Sequence, residues 1–104
     1  MSLPREPIPL IIGAGALAFG VLGVVKPRAM AWLVGSTDDV GRQLGFRDLG
    51  NALTFASGAT RPALMQRLLF DISDALMFGR RKPYVGVAAL SVAALDALAL
   101  AKRD

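Results

Sequence analysis

The sequence predicts an all-α protein, a four-helix transmembrane bundle with up-down-up-down topology and a short interfacial helix after the first span. Two observations support this prediction. Apolar residues make up 54% of the 104-residue chain, more than the roughly 45–50% found in soluble domains. Four long segments with few charges also follow one another, separated by proline, glycine or basic residues, as expected for consecutive helices of a bundle.

The first predicted span covers residues 8–25, which carry no charged side chain. Such a helix is about 27 Å long, close to the roughly 30 Å hydrocarbon core of a bilayer. The segment also contains G-x-G-x-x-A at Gly13, Gly15 and Ala18, a pattern found in dinucleotide-binding folds. That fold needs a second parallel strand, and the sequence offers none. We therefore interpret the small residues as a surface for close helix packing. On one helical face they are Gly13, Ala16, Gly20 and Gly23.

A short apolar stretch, residues 27–34, follows the first span and carries Arg28 and Trp32. Basic and tryptophan side chains are favoured at the headgroup level of a bilayer. We therefore predict a short interfacial helix here. The polar loop after it contains Ser36 and Thr37, either of which can cap the next helix.

The other three spans are predicted at residues 42–59, 62–79 and 83–101, within a single membrane domain that covers residues 1–104. Pro62 and Pro83 stand at the beginnings of the last two, where proline is tolerated. The net charge of +4 comes from scattered basic residues and not from the patch that nucleic-acid binding requires. We expect a multi-pass membrane protein whose partner is the lipid bilayer, with no nucleic acid.

Charged and amide side chains interrupt the last three predicted spans. They are Arg47, Asp48 and Asn51 on the second span, Arg67, Asp71 and Asp74 on the third, and Asp96 on the fourth. A charge at the centre of a spanning helix costs at least about 2.5–3.5 kcal/mol on insertion scales, so we expect these side chains to face one another or a wet cavity. Counting residues from the predicted turns places Arg47 level with Asp74. The same count places Arg67 level with Asp96.

Two arginines oppose four aspartates in this predicted centre. An ionised carboxylate without a cationic partner is costly in a low-dielectric interior, so we expect Asp71 or Asp48 to hold a proton at neutral pH. Either the polar side chains only fix the pairing of the helices, or they form a ligand-binding or proton-binding site. The chain has no cysteine and no histidine, which removes the common metal ligands and nucleophile–base pairs. We assign no cofactor and no metal.

Three blocks of sequence, GFRDLGNALTF, FDISDALMFG and AALDALAL, resemble a family of small four-helix integral-membrane proteins of unknown function. That family occurs in bacteria and some fungi and is distantly similar to DoxX-like proteins. The resemblance covers roughly residues 42–100 and depends mainly on Arg47, Asp48, Asp71 and Asp74. It implies a membrane bundle with a polar centre, and no established reaction. The alanine-, arginine- and glycine-rich composition is similar to that of GC-rich bacteria, so the expected location is a bacterial inner membrane.

Three functions are compatible with the sequence. The one we favour is a non-catalytic accessory subunit of a larger membrane complex, or a self-associating bundle (homo-oligomer), in which the buried ion pairs supply specificity. The second is a binder or carrier of an apolar ligand, such as a quinone or a lipid, with a protonatable aspartate. Aromatic and methionine side chains near the carboxylates are the candidate lining of its cavity: Phe46, Phe55, Phe70, Phe78 and Met77.

The third function is a membrane enzyme in which Asp71 and Asp74 share a proton for acid–base chemistry. No nucleophile with an adjacent base accompanies this pair in the sequence, so we favour a non-enzymatic role. The state of the polar centre bears on the first two functions. An empty centre sealed by ion pairs favours the accessory role, whereas a centre that holds a cavity, with a molecule between the helices, favours the ligand binder.

Overall fold

A computed structural model describes residues 6–102 of the chain. In this range the protein is all-helical, with five helices that we name α1 (Pro7–Val25), α2 (Pro27–Val34), α3 (Asp38–Ala56), α4 (Thr60–Phe78) and α5 (Pro83–Lys102). The predicted all-α fold, with a short helix after the first long one, is confirmed. Among the described helices, α1 and α5 are the two that are long and apolar enough to cross a membrane.

Proline and glycine set the first helix boundaries. α1 and α2 both begin with a proline, and the chain leaves the helical conformation between them at Lys26. Proline is tolerated in the first turn of a helix, but it disrupts the interior of a helix because it has no N–H to donate. Gly35 ends α2 with a φ of 70°, a left-handed conformation that glycine adopts without steric cost.

α3 is capped as the sequence predicted. The Thr37 hydroxyl oxygen accepts a hydrogen bond from the Val40 backbone N–H at 3.3 Å. Asp38 and Asp39 occupy the first turn, where negative charge interacts favourably with the helix dipole. The helix therefore begins before the predicted start at residue 42. It also ends at Ala56, before the predicted residue 59, and Gly58 follows with a φ of 89°.

Small residues bring α1 and α3 into close contact. A Cβ atom built on Gly23 would lie 2.5 Å from the Gly45 Cα, and one built on Gly20 would lie 2.7 Å from the Leu49 side chain. The pairing runs antiparallel, because higher residue numbers in α1 meet lower ones in α3. The prediction that these glycines serve helix packing is confirmed, and residues 6–102 contain no strand that could form a dinucleotide-binding unit.

α4 and α5 complete the bundle that α1 and α3 begin, and α2 packs at one end of it. α4 packs antiparallel to α3, and α5 packs antiparallel to α4 and also contacts α1. A Cβ atom built on Gly86 would lie 3.2 Å from the Gly79 Cα, so the α4–α5 turn is tight. α2 packs against α3 and α1.

The apolar core consists of two clusters at opposite ends of the long helices. The first, which we call the terminal cluster, contains Ile12, Phe55, Ala63, Leu64 and Ala99. The second, which we call the loop cluster, contains Met30, Val34, Leu44 and Phe78. The charged side chains of α3 and α4 lie between these two clusters.

Candidate functional site

An ion-pair network joins α3 and α4. Arg47 Nη1 donates a hydrogen bond to Asp74 Oδ1 at 2.7 Å, and its Nη2 donates to Asp74 Oδ2 at 2.9 Å. This two-pronged geometry is the strong form of an arginine–carboxylate pair. The Nε and Nη2 atoms of Arg47 also donate to Asp48 Oδ1, at 3.2 and 3.1 Å. The predicted pairing of Arg47 with Asp74 is confirmed.

Arg67 has different partners from the one predicted. Its Nη1 donates to Asp48 Oδ1 at 3.1 Å, and its Nε donates to Asp71 Oδ1 at 3.2 Å. The predicted pair with Asp96 is wrong, because counting from helix ends ignored the register of α4 against α5. The tight glycine contact at the turn sets that register, and it places Asp96 beside Asp71, which lies four residues after Arg67 on α4.

Four buried side-chain oxygen atoms of the described residues have no hydrogen-bond partner, three on Asp96 and Asp71 and one on Asn51. Asp96 is 0% exposed. Among the described residues, neither of its carboxyl oxygens has a hydrogen-bond partner, and neither does Asp71 Oδ2. The two carboxyl groups lie within hydrogen-bonding reach of each other. The sequence placed the unpaired carboxylate at Asp71 or Asp48; Asp48 instead accepts hydrogen bonds from both arginines.

Asn51 lies apart from the ion-pair network. Its Nδ2 donates to the Ala63 carbonyl oxygen at 3.0 Å and to Gln66 Oε1 at 3.2 Å. These bonds connect α3 with the first two turns of α4, close to the terminal cluster. The geometry therefore favours a role for Asn51 in helix pairing.

A cavity of about 440 Å³ lies between α1 and α5, next to the network. Apolar side chains of α1, α2 and α5 form its walls, among them Ile12, Phe19, Leu33, Val85 and Val92. Charged side chains of α3 and α4 form its base, which consists of Arg47, Asp48, Arg67, Asp71 and Asp74. Phe19 and Leu95 line the cavity and are also exposed at the protein surface, so the cavity opens sideways between the two helices.

The aromatic lining predicted from the sequence is wrong. Phe46 and Met77 are exposed on the outer surface, and Phe55 and Phe78 belong to the terminal and loop clusters. Phe70 lies beside the arginines, with its ring centroid 4.6 Å from the Cζ of Arg47. This cation–π contact stabilises the network. Phe70 does not line the cavity, whose walls come from α1, α2 and α5.

The cavity walls are the part of the site that sequence reasoning missed. Gly15 gave the available signal, because it lies off the face that carries the packing glycines of α1. A Cβ atom built on Gly15 would meet no atom within 4 Å, so this glycine faces open space in the cavity. The charged base, in contrast, is made of residues that the sequence singled out.

Five of the seven predicted site residues therefore line one cavity, Asp96 lies directly behind it, and Asn51 lies apart. Residues 6–102 contain no group of three or more acidic side chains arranged to hold a metal ion. Comparisons of the chain with protein-family models, with curated proteins and with solved structures found no match. The family resemblance of the sequence stays a prediction.

Proposed function

We propose that this is a multi-pass protein of the bacterial inner membrane in which α1, α3, α4 and α5 cross the bilayer. We further propose that it binds one amphipathic molecule in the cavity between α1 and α5. The apolar part of that molecule lies along the cavity walls, and its polar end meets the charged base.

The distribution of polar and apolar side chains supports the membrane location. Asp71 is 5% exposed, whereas Leu69 and Leu76 of the same helix are 67% and 76% exposed. A water-soluble domain buries its large apolar side chains and solvates its carboxylates, and α4 does the reverse. α3 and α4 each have 19 residues, about 28 Å of helix, which is enough to cross a bilayer core with charges turned inward.

The α2 end of the molecule has the chemistry of a membrane–water interface. Trp32 is 69% exposed, and the Lys82 Nζ lies 5.3 Å from its ring centroid. The Tyr84 hydroxyl donates a hydrogen bond to the Leu33 carbonyl oxygen at 2.6 Å, and Arg80 and Arg81 are exposed beside it. Tryptophan, tyrosine and basic residues are enriched at this level of membrane proteins.

The cavity is the observation that supports ligand binding. Its volume of about 440 Å³ lies within the range of small-molecule sites, which typically combine apolar walls with a few polar groups. An accessory or self-associating role explains the ion pairs, but it does not require charged side chains at the base of an apolar cavity. We therefore prefer the binder or carrier to the accessory role that the sequence alone favoured.

An enzymatic role has less support. Arg47 holds both oxygen atoms of Asp74, so Asp74 is not free to share a proton with Asp71. The acid–base pair on which the enzyme hypothesis depended is therefore replaced by a salt bridge. We propose no catalysis.

Native mass spectrometry of the protein in lipid nanodiscs tests this function. We expect the unmodified protein to retain one small molecule from the membrane. The Gly15→Leu variant fills part of the cavity and should lose it. Gly50→Leu is the matched control, because a side chain at Gly50 also meets open space but lies outside the cavity, and it should retain the molecule. A retained partner protein with no small molecule would contradict the proposal and support the accessory role.

A further inference from the structure

We infer that the cavity ligand is a monovalent organic cation with an apolar body, and that Asp71 supplies the negative charge that selects it. This inference rests on the proposed function and names the chemical class of its ligand.

The charges at the base of the cavity do not balance. Two arginines and three aspartates line it, which leaves one net negative charge. Asp48 and Asp74 each accept hydrogen bonds from arginine nitrogen atoms. Asp71 uses one oxygen for Arg67, and its Oδ2 has no partner among the described residues. The uncompensated charge is therefore centred on Asp71.

Asp96 does not add a second negative charge. Its side chain is fully buried behind the cavity, and its oxygens have no donor among residues 6–102. An isolated buried carboxylate is costly, and such a group remains neutral instead. Two neighbouring carboxyl groups cannot both ionise without a large repulsion. A proton on Asp96 that points to Asp71 joins the two groups by one hydrogen bond, because Asp96 then donates and Asp71 accepts.

No other element supplies a balancing charge to this pair. The charged groups that face it within the described residues are Arg67 and Asp74 from α4 and Asp48 from α3. α1 carries no charged side chain along its whole length. The cavity, which Asp71 lines, is therefore the side from which a positively charged group can approach this pair.

The walls and the base together define the ligand. The apolar walls accommodate an alkyl or aryl body, and the negative base favours an ammonium group over a hydroxyl or a carboxylate. A neutral amphiphile leaves the charge on Asp71 uncompensated. An anionic amphiphile adds to it.

Three probes with the same alkyl chain test this inference: dodecyltrimethylammonium, dodecanol and dodecanoate. Each is titrated by calorimetry into the protein in nanodiscs of neutral lipid, and the Gly15→Leu variant gives the background from partitioning into lipid. We expect the ammonium probe to bind at least about tenfold more tightly than the alcohol. Dodecanoate should not bind above the background.

Two isosteric variants separate the roles of the paired carboxyl groups. Asp71→Asn removes the negative charge, and the cation should lose its advantage over the alcohol. Asp96→Asn replaces a neutral group by another neutral group, and the advantage should remain. In infrared spectra, a protonated carboxyl band should be present in the unmodified protein and absent in Asp96→Asn.

Equal loss of the preference in both variants would overturn the inference, as would a missing infrared band. Binding of dodecanol or dodecanoate as tight as that of the cation would overturn it and leave the proposed function intact. If Asp71→Asn does not fold, the affinities of the three probes for the unmodified protein and the measurements on Asp96→Asn still test the inference. The proposed function itself fails separately, if Gly15→Leu retains the native ligand.

Discussion

Replacing Gly45 by alanine tests the close approach of α1 and α3. A Cβ atom at this position would lie 2.6 Å from the carbonyl carbon of Gly23 and 2.7 Å from the Val24 nitrogen. These are backbone atoms of a helix, which cannot move aside as a flexible side chain can. Contacts between carbon atoms are optimal at about 3.5–4.0 Å, so the two helices must separate by about 1 Å.

Two opposing terms set the size of the effect. Overpacking a well-packed interior typically costs about 1–3 kcal/mol. Alanine in place of glycine inside a helix stabilises it by about 0.8–1.0 kcal/mol. Gly45→Ala should therefore destabilise the protein by up to about 2 kcal/mol. Gly50→Ala is the matched control on the same helix, since a Cβ atom there meets nothing within 4 Å, and it should be slightly stabilising.

Reversible unfolding in mixed micelles, titrated with a denaturing detergent, measures both variants against the unmodified protein. The two alanine variants should differ in free energy of unfolding by about the overpacking cost, 1–3 kcal/mol. Equal stability of the two variants would refute the argued contact between α1 and α3.

Two further predictions concern the charged centre. Arg47→Ala removes the arginine from Asp74, while Asp48 keeps its hydrogen bond from Arg67. The variant should destabilise the protein toward the lower end of about 3–5 kcal/mol, because the Arg47 side chain is 21% exposed. Arg42→Ala, which breaks an exposed pair with Asp39, should change stability by less than about 1 kcal/mol in the same unfolding assay. Acidification should weaken binding of dodecyltrimethylammonium, because a second proton on the Asp71–Asp96 pair removes the negative charge that attracts the cation. Affinity that is unchanged or rises as the pH falls would contradict this.

The helices and the charged base were predictable because they depend on spacing along one helix. Gly20 and Gly23 lie on one face of α1, so their spacing predicts a close contact with a neighbouring helix without saying which helix it is. Arg67, Asp71 and Asp74 occupy one stripe of α4, so they face one environment together. Because exposing charges to the hydrocarbon of a bilayer is costly, this stripe is expected to face the interior of the bundle.

The partners of Arg67 and the cavity walls were not predictable in the same way. Both depend on the register and separation of different helices. The register of α5 against α4 is fixed by backbone contact at Gly79 and Gly86. Counting residues from the helix ends does not take this contact into account. The cavity lies where α1 and α5 do not meet, and the sequence of either helix alone gives no measure of that gap.

Spin-label accessibility on α4 and α3 tests the central claim most directly. The chain has no cysteine, so single cysteines at Leu69 and Leu53 can each carry one label without background. Both positions are exposed and apolar, on helices whose mid-helix charges face inward. In liposomes, the proposed arrangement predicts high accessibility to oxygen from the lipid phase and low accessibility to a water-soluble nickel chelate. The opposite result at either position would place that helix in water and contradict the proposed four-span bundle.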